Sequence, residues 1–208
     1  MATRRWVAMN PTEPHGHVPA RRDGHATRVE DLGASQAAMA NRNIIYEACF
    51  EDYLRSRGIP YVAVDEAKKA IFAGVHLKSF DFVVYSRAGP NLLVDVKGRR
   101  FPYRGGRRWE NWATRDDLES LARWEEVFGS GFAGLLVFCY HLVKGGEDGA
   151  FEVVHRFRGE SYGLVAVYRS AYVEACRTRS RAWDTVSVPT AAFRQMVRPA
   201  VHFFGEVS

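Results

Sequence analysis

The sequence predicts an α/β fold in the order helix, three-stranded antiparallel meander, helix, strand, with further strands and helices after it. Three observations carry this. Ser35–Arg57 repeats apolar residues at helical spacing, Tyr61–Lys97 holds three short apolar runs, and Ala133–His141 is a nearly unbroken apolar run of strand length. With 208 residues, 47% of them hydrophobic, the chain can bury the core of one domain.

Residues 1–34 mix Pro, Gly, His and Arg without periodicity and read as a flexible basic tail. His15, His17 and His25 in that tail are read as solvated side chains and not as a metal site. The core, 35–143, begins with the first helix, where Ala38, Ile44, Ile45, Ala48, Cys49, Phe50, Tyr53 and Leu54 give a broad apolar face that Gly58 and Pro60 stop. Tyr61–Val64 reads as a strand, followed by the polar cluster Asp65–Lys69. Ser79–Tyr85 and Leu92–Lys97 read as the next two strands, joined by the turn Arg87–Pro90, and Gly98–Trp112 as a loop. Thr114–Asp117 opens a second helix with a cap-like arrangement; Leu118, Leu121, Trp124 and Phe128 form its buried stripe and Gly129 ends it. Ala133–His141 is the fourth strand. The extension, 144–208, supplies strands near Phe151–Phe157 and Tyr162–Tyr168 and helices near Ala171–Arg177 and Ala191–Val197, expected to pack on the core.

Composition narrows the setting. The longest apolar stretch, Phe132–Val143, contains His141 and is too short to span a membrane, while Met1–Asn10 has no apolar signal core, so no membrane partner and a cytoplasmic location are expected. Cys49, Cys139 and Cys176 are odd in number, widely spaced and set among apolar neighbours, which reads as reduced core thiols. The net charge of +5 is carried by 24 arginines against five lysines. Arginine's planar fork suits phosphate, so the balance is compatible with anionic partners without requiring them.

The chemistry concentrates in Asp95-Val96-Lys97. Strand residues two apart share a face, so a carboxylate and an ammonium group stand side by side at the end of the run Leu92–Val94. Asp81 lies in the preceding strand at a position that would otherwise be core. Carboxylates on adjacent strands suit a hard cation such as Mg2+ or Mn2+, and Lys97 beside them can orient a water or stabilise charge on a phosphate under attack. Glu47, on the first helix, can complete the metal's shell directly or through water. A second acid-x-Lys triplet, Glu66–Lys68, lies in a polar cluster with no acid-bearing strand before it and is set aside. The competing explanation is a structural salt bridge among Asp81, Asp95 and Lys97, since buried charges are costly unless paired or metal-bound.

Over about Asn41–His141 this order and motif resemble the PD-(D/E)XK nuclease superfamily, which includes restriction endonucleases and archaeal Holliday-junction resolvases. The resemblance implies a restriction-endonuclease-like three-layer core with a mixed central sheet. It also implies Asp81 and Asp95 as metal ligands, Lys97 as the catalytic lysine and Glu47 as the glutamate contributed by the first helix. More narrowly, Ile45-Tyr46-Glu47-Ala48-Cys49-Phe50-Glu51 is similar to the opening of the bacterial HYExAFE family, as are Tyr61–Ala70, Lys78–Phe82, Val94–Phe101 and Asn111–Gly134. The chain departs from it at Ile45, where the name-giving His would stand, and at Cys49 in place of Ala; the acids and the lysine are retained.

Directly after Lys97, Arg99, Arg100, Arg104, Arg107 and Arg108 interleave with Phe101, Tyr103 and Trp109. Arginines grip phosphates and exposed rings stack on bases, so this stretch is a candidate nucleic-acid surface beside the metal site. The alternative is a solvated loop anchored in the core by Trp109 and Trp112. The expected function is metal-dependent phosphodiester hydrolysis in nucleic acid, with DNA the expected form. A non-catalytic nucleic-acid-binding module on the same fold is the alternative. A scaffold that forms a homodimer through the apolar segment Val197–Phe204 is the weaker one.

Overall fold

The computed structural model describes residues 44–64, 70–72, 75–87, 89–102, 106, 108–143 and 149–205. The tail 1–34 with its histidines, the start of the first helix, Asp65–Lys69, Tyr103–Gly105, Arg107 and Lys144–Asp148 lie outside them. Helix α1, described over 44–56, buries Tyr46, Cys49, Phe50, Tyr53 and Leu54, a stripe recurring every three or four residues. It ends where Gly58 takes a positive φ of 61°, which lets the Gly58 and Ile59 amides reach back to Arg55 O and Leu54 O.

Strands β1 (Tyr61–Ala63), β4 (Phe82–Val84) and β5 (Asn91–Phe101) are antiparallel neighbours in that order, as the meander reading expects. A hairpin of β2 (Ala70–Phe72) and β3 (Val75–Leu77) is inserted between β1 and β4. After β6 (Ala113–Thr114) and helix α2 (Arg115–Phe128), strand β7 (Phe132–Leu142) pairs with β5 in parallel. The central sheet is therefore mixed. Its pairing runs the full eleven residues, from Asn91 opposite Phe132 to Phe101 opposite Leu142. Two boundaries are corrected by this: β4 is shorter than Ser79–Tyr85, and β5 continues through Gly98–Phe101, which had read as loop.

The C-terminal third joins this sheet edge to edge instead of only covering it. After β8 (Val154–Phe157), strand β9 (Glu160–Tyr168) lies antiparallel to β7, and its far edge is shared by β8 and the two-residue β12 (Arg198–Pro199). Helix α3 (Arg169–Ala175), strands β10 (Arg177–Ser180) and β11 (Thr185–Ser187) and helix α4 (Thr190–Met196) come between β9 and β12; β10, β11 and β6 form a separate three-stranded sheet.

Side-chain alternation splits the interior into two cores. Even positions of β5, Leu92 and Val94, pack with α1 and with Ala200 and Phe204 of the closing 3-10 turn, Ala200–Phe203, and its following residue. Odd positions, Leu93 and Phe101, pack with Leu118 and Leu121 of α2, Tyr172 of α3 and Phe193 of α4. The result is three layers, with α1 on one face and α2–α4 on the other. Val197, Ala200 and Phe204 of the segment on which a scaffold reading depends are buried within the chain, while Val201 and Phe203 are half-buried. Among the described residues no helix is long and apolar enough to cross a membrane.

Candidate functional site

The sheet brings Asp81 beside Asp95. One residue beyond the paired couple Phe82 and Val94, the Asp81 N–H donates to Val94 O at 2.9 Å, and the Val96 N–H donates to Asp81 Oδ2 at 2.6 Å. These bonds bracket Asp95. The Asp81 carboxylate thus stands in for a ladder carbonyl where β4 begins, which explains a 6% exposed acid in a core position.

Asp95 and Lys97 are odd residues of β5 and face α2. Lys97 Nζ lies 2.7 Å from Asp95 Oδ2 and 2.9 Å from Asp117 Oδ2, with all three side chains at least 86% buried. Lys78, half exposed, pairs with Asp117 Oδ1, and its segment is pinned where Trp124 Nε1 donates to Lys78 O at 2.9 Å. Asp117 is also the third residue of α2 and closes a capping box: its N–H donates to Thr114 Oγ1, and its carboxylate accepts from the Thr114 N–H. Two acids and two lysines therefore form one continuous network, anchored at one end in the sheet and at the other in a helix N-terminus.

The network sets the protonation of its members. Burial pulls the Lys97 ammonium down, but the Asp95 and Asp117 charges overcome it and hold its pKa above that of a free lysine. Burial pushes Asp117 up, and Lys97 and Lys78 outweigh it, holding that carboxyl well below the usual range. For Asp95 burial wins: its pKa is raised despite Lys97, with the Asp117 charge adding to the rise.

Asp117 and Lys78 went unrecognised in the sequence. The signal for Asp117 was present: positions 117, 121, 124 and 128 lie on one helical stripe, so an acid opens a run of apolar residues aimed at the core.

Glu47 is not gathered into this cluster. It is half-buried on α1, which packs against the even-residue face of β5, where a Cβ on Gly98 would fall inside the Tyr46 ring. Among the described residues no three His, Cys, Asp or Glu side chains converge as a shared ion would need. This corrects the expectation of a three-acid shell. The donor set fits a smaller demand: magnesium is commonly held by one or two carboxylates while keeping several waters, and Asp81, immediately before β4, and Asp95, on β5, are two such carboxylates.

The arginine–aromatic stretch is divided by burial. Arg99 is 8% exposed; it donates to Gly98 O at 2.7 Å and to Trp112 O, and its guanidinium lies 4.1 Å from the centre of the Trp112 ring. Trp109 is 8% exposed and stacks on Phe151 at 4.5 Å. Neither can belong to an open phosphate-gripping surface, which corrects that expectation for both. Arg100 and Arg108 are exposed; Arg104 and Arg107 lie outside the described residues.

No family model and no curated protein matches the chain, so the HYExAFE likeness of Ile45–Glu51 stays a resemblance. Among solved structures the chain is similar to a Holliday junction resolvase from the archaeal hyperthermophile Archaeoglobus fulgidus, with 11% identity and a TM-score of 0.46 over 79% of this chain and 97% of that one. A likeness at that level carries no argument about this chain's activity.

Proposed function

We propose that the chain is a metal-dependent nuclease, hydrolysing phosphodiester bonds in nucleic acid, with DNA the expected substrate. The observation that carries this is Asp81, where β4 begins, beside Asp95 on β5, with Lys97 on the same face of β5. Support comes from the element order around it, α1, three antiparallel strands, α2 and a parallel strand, which is the order of the PD-(D/E)XK core that the sequence resembles. Asp81 and Asp95 hold Mg2+ or Mn2+, and Glu47 stands outside that pair. When bound, the cation supplies charge neutralisation at the phosphate and an acidified water. Lys97, fully protonated at neutral pH, donates to the developing phosphorane charge or fixes the attacking water, while Asp117 keeps the ammonium aimed at Asp95.

A second reading has its own observation. Lys97 is already clamped between two carboxylates, an arrangement that needs no ion to balance it. That favours a non-catalytic nucleic-acid-binding module with a salt-bridged core.

Cleavage of labelled linear, branched and single-stranded DNA with manganese, compared with the same reaction in chelator, separates the two. Wild type is expected to cut only with metal, and Asp95→Ala to fall to the chelator background. Equal cleavage by the two proteins would sink the nuclease reading. Nucleic-acid binding without manganese uptake in a calorimetric titration, and without turnover, would establish the second.

A further inference from the structure

The β10–β11 hairpin carries an aromatic–arginine surface that the site above does not use. Trp183, in the turn between the strands, is 79% exposed, which is unusual for the side chain with the most apolar area to hide. Arg177, Arg179 and Arg181 lie within six residues of it and are all exposed, and Asp184 is the one acid in the segment 177–187. The ladder itself serves this display. Arg177 pairs with Ser187 and Thr178 with Val186, but Ser180 pairs with Thr185, so Arg179 is the extra residue of a bulge. Bulges re-aim side chains. Here the bulge sends Arg179 to within 5.4 Å of the centre of the Trp112 ring and 3.7 Å of Glu110, at the rim of a cleft of about 190 Å³ that exposed Arg108 also lines.

The hairpin is also fixed relative to the acid–lysine network. Thr185 and Val186 pair with Thr114 and Ala113 of β6, the Arg115 N–H donates to Asp184 O, and the Arg115 side chain reaches both Asp184 and Thr178. Thr114 is the N-cap of α2, three residues before Asp117, which holds Lys97. One helix N-terminus therefore supports both features.

We infer that this hairpin binds single-stranded nucleic acid, with Trp183 stacking on an unpaired base and Arg177, Arg179 and Arg181 contacting the flanking phosphates. An indole that projects into water can stack on a base only if the base is not already stacked in a duplex, so the expected partner is a single strand or an unpaired segment. The proposal deepens the nucleic-acid reading above and rests on it for the class of partner, not on cleavage.

The test is fluorescence anisotropy of the full chain with a labelled single-stranded oligonucleotide and its blunt duplex, in chelator so that nothing is cut. Trp183→Ala is expected to weaken single-strand binding about tenfold, to leave duplex binding unchanged, and to be rescued by Trp183→Phe. Changing Arg177, Arg179 and Arg181 together to Gln is expected to reduce the slope of log affinity against log salt by about 2. Exposure of Trp183 leaves the fold intact, checked by unchanged melting. Unaltered single-strand affinity in Trp183→Ala, or displacement by polyglutamate as effective as by unlabelled oligonucleotide, would overturn the inference. Intact, Trp183-dependent binding by a protein that never cuts would support it while the nuclease reading fails.

Discussion

Lys97 keeps its charge in a nearly closed site because two carboxylates share it, and the two acids respond to pH in opposite senses. Asp117 has a folded pKa below its ordinary 3.8, so its contribution is present above that pH and is lost as pH falls through the folded value. Asp95 has a folded pKa above 3.8, so the folded chain takes up that proton first and gains stability as pH falls toward 3.8. Asp117→Asn is expected to cost about 3 kcal/mol at neutral pH, the low end for breaking a buried pair, because Lys97 keeps Asp95 and Asn retains the cap. Urea unfolding from pH 7 to pH 2 should show the acid-side loss flattened in Asp117→Asn and the gain above 3.8 flattened in Asp95→Asn. Parallel profiles for wild type and both variants would contradict the assignment. Of this network the sequence made Asp95 and Lys97 legible through strand parity. It did not reveal Lys78, whose partner Asp117 lies 39 residues away and is brought beside it only by the fold.

β5 is the element on which both faces depend, and Gly98 shows how tightly. The glycine follows Lys97 on the α1 side, where Tyr46 lies directly against the strand backbone. Gly98→Ala must displace that ring, and a cost of about 3 kcal/mol is expected from overpacking between rigid elements. Tyr46→Ala alone is also destabilising, but in the double variant the Gly98→Ala cost should nearly vanish; a cost unchanged by Tyr46→Ala in denaturant titrations would remove the clash as its cause. The strand's centre was readable from Leu92–Val94, while its end was not. Arg99 and Arg100 look like loop residues, yet Arg99 is accommodated in the sheet because Gly98 O and Trp112 O accept from its two terminal nitrogens and the Trp112 ring lies against its guanidinium, although its buried Nε has no hydrogen-bond partner among the described residues. That compensation comes from residues brought together by folding, so no local pattern announces it.

At the scale of the whole molecule, the chain closes on itself through a segment with almost no periodic signal. β12 has only two residues, one of them proline, so strand rules give it no weight. It nevertheless completes the far edge of β9 and delivers Ala200 and Phe204 to the α1 core, where Phe204 lies 6.1 Å from the Phe50 ring. The return is also tied at the β4–β5 turn: Ser86 Oγ donates to Phe203 O at 2.9 Å, and the Arg87 N–H donates to Phe204 O at 3.0 Å. Residues near both ends of the described chain thus share one apolar cluster, and damage to one should loosen the other. Phe204→Ala, at a side chain 1% exposed, is expected to cost about 3–5 kcal/mol. Hydrogen exchange should show lost protection in α1 and β9 as well as near residue 204, with the α2 side, where Asp117 holds Lys97, less affected because its apolar contacts lie in the other core. Deprotection confined to the last few residues would show that the C-terminal return is an appendage and that α1 is held by the sheet alone.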